Sequence, residues 1–509
     1  MRVPLRILPL LPILPLVAAS LAPAPLLSQA PAPPAPAAET ITAEDVIRHI
    51  RVIADDSMLG RDTPSRGLEL TARYVADHFR RFGLKPGGDD GGFLQRYAIS
   101  RRKLDVAASA VTFRAGPRRA RAPFSSAARL VQGAVPPRPV AGPVVLVGGG
   151  LVPDDAERVP LEGRVVLYLP NRAGPGADQV LRALYLAGPR AVVLLSGLDS
   201  AAFSLRLAGQ TRERTAIDVG VPRPVVVEVR EDVVAPVLAA AGVSPPELRA
   251  SATSVIREVP GLTGRLDLRE IVVSRETAPN VVGILEGSDP ALRREYVLFS
   301  AHMDHIGVTP GQPDSVNNGA DDDASGTAGV IELAEAFSRP GARPRRSLIF
   351  LTVSGEEKGL WGSRYFTEHP PIPLRDVVAD LNIDMIGRNW PDTIVAIGRE
   401  HSDLGATLDR VTAAHPELGM TPVDDPWPEE RFYFRSDHYN FARKGVPVLF
   451  FFNGVHEDYH RVTDSPDKID AEKESRVLRL LFYLGREVAN APERPRWKPE
   501  SYREIVEHP

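Results

Sequence analysis

At 509 residues, with 43% hydrophobic and 25% charged residues, the chain is long enough for two folded units with substantial cores. Its formal net charge of -4 carries no basic excess, which argues against a nucleic-acid groove or a polybasic membrane patch. It has no cysteine, which excludes a disulfide scaffold, a thiolate metal site, a lipid-modified cysteine anchor and a cysteine nucleophile.

In chain order, Arg2 and Arg6 precede an apolar stretch over 7–17 and the small residues Ala18, Ala19 and Ser20. A basic start, a short apolar core and small residues after it predict a secretory signal over 1–30. The prolines and the length oppose a stable membrane span, so none is expected after signal removal. The expected location is exported, periplasmic or secreted. Residues 31–40 are Pro/Ala-rich and read as a disordered linker. Thr42 can cap a helix carrying Ile47, Ile50 and Ile53. A second helix is expected over 67–82, with Leu70, Tyr74, Val75, His78 and Phe79 on one face and Gly83 at its C-terminus.

From 131 to 264 short Val-rich runs at 143–147, 164–169, 191–195 and 224–227 are bounded by Gly and Pro, with one helical segment at 177–186. This is the pattern of a β-rich module, and it holds no cluster of His, Asp and Glu. From 278 onward strands and helices alternate. Strands are expected at 281–285, 296–300, 347–353, 378–383, 393–397 and 446–452, and helices at 326–337, 360–368, 402–415, 438–443 and 472–488. Such alternation predicts an α/β fold, a mixed sheet flanked by helices, with ligands gathered outside the carboxyl ends of its strands. Residues 491–509 read as a surface tail.

The chemistry-bearing residues follow those strands. His302 stands at a strand end, and Asp304, two residues on, can orient its imidazole from the same face. His305 is then expected to point elsewhere, solvated or behind the ligands. Asp321, Asp322 and Asp323 repel one another unless a cation relieves them, although a helix N-terminus could also use them as caps. Glu356 and Glu357 follow a buried strand, where one can ligate a metal and the other act as a base. Asp384 interrupts an apolar strand, which is costly unless the carboxylate is paired or ligated. His456 and His460 are both candidate ligands. Asp322, Glu357 and Asp384 supply about three negative charges, which two divalent cations and a bridging hydroxide balance. Mixed imidazole and carboxylate donors suit zinc, with cobalt or manganese as the other candidates.

The ordered set His302-x-Asp304, Gly319-Ala320-Asp321-Asp322-Asp323-Ala324-Ser325-Gly326, Ser354-Gly355-Glu356-Glu357, Asn382-Ile383-Asp384 and Tyr459-His460 resembles the co-catalytic dizinc aminopeptidase family. Relatives of that family include glutamate carboxypeptidase II, glutaminyl cyclase and the transferrin receptor. Asp89-Asp90-Gly91-Gly92-Phe93 resembles the loop after the family's second helix. The resemblance implies a zinc-exopeptidase-like fold. It also implies a catalytic domain in two parts, 41–130 and 266–490, around a protease-associated-like insert at 131–265. By the same resemblance His302 and Asp384 would bind one Zn2+, Glu357 and His460 a second, and Asp322 would bridge them. Glu356 would be the general base, and Asp304 and Asp323 would support the ligands from behind. Tyr433, Asp437, His438 and Tyr459 are candidates for substrate binding.

The activity so implied is hydrolysis of peptide substrates, as an aminopeptidase removing N-terminal residues. Alternatives on the same scaffold are a carboxypeptidase or a glutaminyl cyclase. The first would need basic residues near a terminal carboxylate, for which Arg388, Arg431 and Arg435 are candidates. A non-catalytic protein that binds partners through the insert is the alternative from another class.

Overall fold

The structure, a computed structural model, describes residue 1, residues 36–150, residue 155, and residues 161–170, 177–217, 224–311 and 313–507. The expected signal beyond Met1 and the linker up to residue 35 lie outside the described residues. The end of the expected linker is ordered. Ala37–Thr40 forms a helical turn, and Ala38 is buried in the main core.

In the first sheet the strands run in the order Thr421–Val423, Thr393–Ile397, Val448–Phe451, Val377–Ile383, Tyr296–His302, Ser347–Val353, Glu270–Leu285, Leu94–Leu104 and Arg214–Ile217. Lys85–Pro86 pairs with Glu270–Leu285 off this path. Val448–Phe451, Val377–Ile383, Tyr296–His302 and Ser347–Val353 are mutually parallel. Their neighbours Thr393–Ile397 and Glu270–Leu285 run antiparallel to them. This is the expected mixed α/β sheet.

The parallel strands are continuous apolar runs because both faces are covered. Every residue of Ser347–Val353 and Val377–Ile383 is buried. Alternation sends Val297, Phe299 and Ala301 into the core under the helices Ala43–Ile53, Arg66–Arg81, Gly326–Ser338 and Ala471–Asn490. Leu298, Ile349, Leu351 and Val353 enter a second core with Phe366 and Phe441, on the side of Trp361–Glu368 and His438–Ala442. Thr42 caps the first of these helices by accepting from Asp45 N–H at 3.1 Å. The buried face of Arg66–Arg81 is Leu68, Ala72, Val75 and Phe79. It is turned slightly from the expected one, so that Leu70, Tyr74 and His78 are only half-buried.

The second sheet runs Arg118–Pro123, Ala110–Ala115, Ser254–Asp267, Val140–Gly149, Val165–Tyr168, Ala191–Ser196, Val225–Arg230 and Ala128–Gln132. Its cores lie on either face, one around Phe113, Leu146 and Val193 and one around Val147, Val166 and Leu184. Two of its strands lie before residue 131, and a third, Ala128–Gln132, runs across it. We therefore propose that the insert begins between Leu104 and Ala110 rather than at 131. The expected surface tail is instead docked. Ile505 is buried, Trp497 Nε1–H donates to Gly445 O at 3.0 Å, and Arg496 N–H donates to Asp403 Oδ1 at 2.9 Å. Among the described residues no helix is long and apolar enough to cross a membrane.

Candidate metal centre

All four parallel strands deliver acidic or histidine residues at their carboxyl ends. His302 ends its strand, Glu356 and Glu357 follow Val353, Asp384 follows Ile383, and His456 and His460 follow Phe451. The sheet order brings these ends side by side, at the place where an open α/β sheet binds ligands.

Asp322 occupies the middle. Its Oδ1 is 3.3 Å from His302 Nε2, and that nitrogen is 3.5 Å from Asp384 Oδ1. Its Oδ2 is 3.2 Å from His460 Nε2, and that nitrogen is 3.2 Å from Glu357 Oε2. One carboxylate thus turns an oxygen toward each of two imidazole–carboxylate pairs. The imidazole of His302 is set for its task. Its Nδ1 lies 3.1 Å from Asp304 O, which can only accept, so Nδ1 donates there and Nε2 is the nitrogen turned to the carboxylates.

Two groups of ligand atoms lie within 4.8 Å of one another, His302 with Asp323 and Asp384, and His305 with Asp322 and Glu357. Asp323 is already engaged. Its Oδ2 accepts from His302 N–H at 3.1 Å, and its Oδ1 accepts from Gly326 N–H at 2.8 Å and Met385 N–H at 3.2 Å. It therefore clamps the ends of two strands to a helix, from behind the ligands. The Asp322–Asp323 peptide is cis.

Two sequence readings are corrected. Asp304 was expected to turn its carboxylate to the imidazole of His302, but that contact is 3.8 Å. The carboxylate instead accepts from Thr63 Oγ1 at 3.0 Å and Glu356 N–H at 3.2 Å, and so positions the glutamate turn. His305 was expected to point elsewhere than His302, solvated or behind the ligands, and of these the solvated alternative is overturned: it is fully buried, with Nδ1 2.8 Å from Glu357 Oε1. The strand ends at His302, so extended-chain alternation no longer governs the residues after it. His456 separates from His460: its Nε2 is 3.2 Å from Asp321 Oδ2, away from Asp322.

Several contributors escaped the sequence reading. Arg61 is fully buried and donates to Met303 O, Ile53 O, Asn318 O and Gly319 O at 2.5–3.0 Å, so it fastens the loops after His302 and before Asp322. Burial lowers its pKa, while Asp322, Asp304, Asp464 and Asp323 pull the other way. Asp464 accepts the main-chain N–H groups of Asp321 and Asp322 at 3.1 Å. Ser436 Oγ donates to Asp384 Oδ2 at 2.9 Å. The glutamate turn needs Gly355: its φ is +73°, and a Cβ there would stand 2.7 Å from Tyr97 Oη and 2.9 Å from Trp361 Cβ.

The centre's electrostatics call for cations. Burial opposes protonation of His460, but hydrogen bonds to Asp322 and Glu357 push its imidazole up to about 10. Burial pushes the Glu356 carboxyl well above the ordinary range, His302 opposes this, and Asp437, Asp384 and Glu357 reinforce it. Buried carboxylates at this density need positive charge among them. Oxygen and imidazole donors around one shared carboxylate fit a pair of divalent ions of zinc type.

A cavity opens over the centre, lined by His302, Asp322, Glu356 and Asp384 at its floor. Met385, Phe432, Phe450, Phe452 and Val455 form an apolar wall, and Tyr459, Arg435 and Ser436 complete the lining. Of the residues expected to bind substrate, Tyr459 is in place, its ring stacked on His460 at 3.9 Å between centroids. Tyr433, Asp437 and His438 lie buried and do not line the cavity. His438 Nε2 contacts Tyr433 O at 2.8 Å, and its ring stacks on Phe450, so these residues back the wall.

Residues 280–485 match peptidase family M28. Leupeptin-inactivating enzyme 1 of Streptomyces exfoliatus is 30% identical over 202 residues, 40% of this chain and 41% of that protein. A probable zinc metalloprotease of Pyricularia oryzae is 28% identical over 271 residues, 43% of this chain and 52% of that protein. A probable leucine aminopeptidase of Arthroderma otae is 27% identical over 261 residues, 47% of this chain and 67% of that protein. The match thus spans about half the length of the first two relatives. The matched segment contains the strands and loops that carry His302, Asp322, Glu356, Glu357, Asp384 and His460.

Proposed function

We propose that this chain is a dizinc metallo-exopeptidase acting as an aminopeptidase. The observation that carries this reading is the division of Asp322, with one oxygen toward His302 and Asp384 and the other toward His460 and Glu357. In this reading Asp322 would be shared by two ions, His302 and Asp384 would hold one, and Glu357 and His460 would hold the other. The names of a zinc metalloprotease and a leucine aminopeptidase among the relatives support zinc and N-terminal cleavage. When bound, the two ions would polarise a peptide carbonyl and lower the pKa of a water molecule.

The chain's own residues do the rest. Glu356 faces the cavity with its pKa raised, which suits a base that takes a proton from water and returns it to the departing amine. Asp304 holds the Glu356 main chain, and Asp384 is steadied by Ser436. The wall of Met385, Phe432, Phe450, Phe452 and Val455 gives an apolar side chain a surface and sheds water from the floor.

Glu356→Ala is expected to keep the fold and the zinc while losing about 10²- to 10⁴-fold in turnover. Retained hydrolysis in that variant would remove the residue from the mechanism. Peptides with free and blocked N-termini separate aminopeptidase from carboxypeptidase action, and the reading requires that blocking abolish cleavage. The pattern of residues 1–30 supports export, which N-terminal sequencing of the mature protein tests.

A further inference from the structure

Arg388, Arg431 and Arg435 are the candidate arginines for a substrate carboxylate, and their surroundings differ. Arg388 is spent: Nη1 and Nη2 donate to Asp458 Oδ2 at 3.2 and 3.1 Å. Arg431 lies over the Phe434 ring at 4.8 Å and does not line the cavity. Arg435 does line it, and it is the one arginine or lysine on the lining formed by the described residues.

Arg435 is held but not used up. Its guanidinium carbon sits 4.7 Å from the centre of the Phe432 ring, which orients the plane of the group. Among the described residues only its Nη1 has partners, Glu430 O at 3.5 Å and Glu430 Oε2 at 3.3 Å. Both side chains are about half exposed, at 48% and 56%, so this tie is weak and screened. Nε and Nη2 remain as donors. The main chain beside it is firm, because Ser436 donates to Asp384 at 2.9 Å. A planar fork kept in orientation by an aromatic face, with donors to spare, is suited to a carboxylate.

The rest of the lining gives that carboxylate a direction. The floor is acidic at Glu356 and Asp384, and the wall is apolar. A ligand with an amine at one end, an apolar side chain and a carboxylate at the other matches these three regions. We propose that Arg435 is a specificity residue that pairs with a substrate carboxylate, so that the favoured substrates are short peptides carrying a carboxylate near the scissile bond. The proposal rests on the peptidase reading above. The carboxylate is either the C-terminus of a dipeptide or an acidic side chain.

The test is calorimetric titration of the zinc-loaded Glu356→Gln protein with Leu-Leu, Leu-Leu amide and Leu-Asp amide, repeated with Arg435→Gln and Arg435→Lys added. Leu-Leu or Leu-Asp amide is expected to bind about tenfold tighter than Leu-Leu amide, the scale of one half-exposed charge-assisted contact. The peptide that shows the gain identifies the source of the carboxylate. Arg435→Gln brings the ratio to about one, and Arg435→Lys keeps part of it. Equal binding of all three peptides, or a preference that survives Arg435→Gln, overturns the proposal. Turnover of the same peptides by the wild-type protein is read separately. If none is cleaved, the peptidase reading fails, while a carboxylate preference in binding still assigns Arg435.

Discussion

Asp464→Ala examines whether Asp322, the proposed bridge, depends on a residue far from it in sequence. The Asp464 side chain is fully buried and accepts Asp321 N–H at 3.1 Å on each oxygen and Asp322 N–H at 3.1 Å on Oδ2. Alanine keeps the Asp464 carbonyl, which accepts from Ala320 N–H, and removes the carboxylate. Two buried donors then lose their partner at about 1–3 kcal/mol each, so unfolding free energy should fall by about 2–6 kcal/mol. Asp464→Asn keeps one acceptor and should fall between the variant and the wild type. Because Asp322 N–H is one of the two donors, zinc occupancy should fall with stability. Leu167→Ala in the insert is the control: Leu167 is fully buried there, the change costs about 2–5 kcal/mol, and it touches no ligand. The assays are urea unfolding and zinc per chain after dialysis. Two zinc ions retained in Asp464→Ala, with stability within about 0.5 kcal/mol of wild type, would refute the reasoning. So would an equal zinc loss in Leu167→Ala.

Three further outcomes are expected. Gly355→Ala should lower both stability and turnover, because a Cβ at φ +73° would stand 2.7 Å from Tyr97 Oη; an unchanged melting temperature contradicts this. Chelation should lower the unfolding free energy, by about 2.7 kcal/mol for each site held at a hundredfold excess over its Kd, and zinc but not calcium should restore it. The third concerns His49 and Glu332, both buried, with Nε2 and Oε1 3.2 Å apart. Burial holds His49 down at about 4 and Glu332 up at about 8, so between these values the folded pair carries one proton, on Glu332. With ordinary values of 6.5 and 4.5, the unfolded chain carries two protons below about 4.5 and none above about 6.5. The pair's contribution is therefore flat from about 4.5 to 6.5 and is lost as pH rises from about 6.5 toward 8, by about 2 kcal/mol. It also weakens as pH falls below about 4.5. Urea unfolding at pH 5.5 and 8 should show that loss in wild type and not in Glu332→Gln; parallel slopes would sink it.

The sheet was readable in proportion to how completely burial dictates its residues. Ser347–Val353 and Thr393–Ile397 match the expected strands because an unbroken apolar run in a doubly covered sheet admits few other readings. The early strands of the second sheet hid for the opposite reason. Arg118–Pro123 buries only Ala120 and Ala122, and its arginines face solvent, so its alternation looks like a polar loop. The C-terminal segment was misread for a related cause. Its composition is that of a tail, but Trp497 and Ile505 suffice to dock it, and two residues make no periodic signal.

The centre divides along the same line. Asp384 and Glu357 stood out because a carboxylate beside a buried apolar strand conflicts with its surroundings unless something else compensates it. That conflict is local and can be read from a few neighbours. Arg61 and Asp464 resolve conflicts that lie elsewhere: Arg61 bonds Met303 O across 242 positions, and Asp464 bonds Asp321 N–H across 143. Nothing near either residue is out of place, so the sequence holds no mark of what they do. What was misread at these strand ends, the direction of the Asp304 carboxylate and a solvated His305, has a different root. The rule used for them was sound for a strand, and the strand stops at His302, the residue where the chemistry begins. Open α/β sheets place ligands where strands end, so periodicity fails at the very residues that carry function. At such positions side-chain direction follows from the contacts made after the strand. Here these are the Thr63 and Glu356 bonds that turn the Asp304 carboxylate, and the Glu357 contact that turns His305 inward.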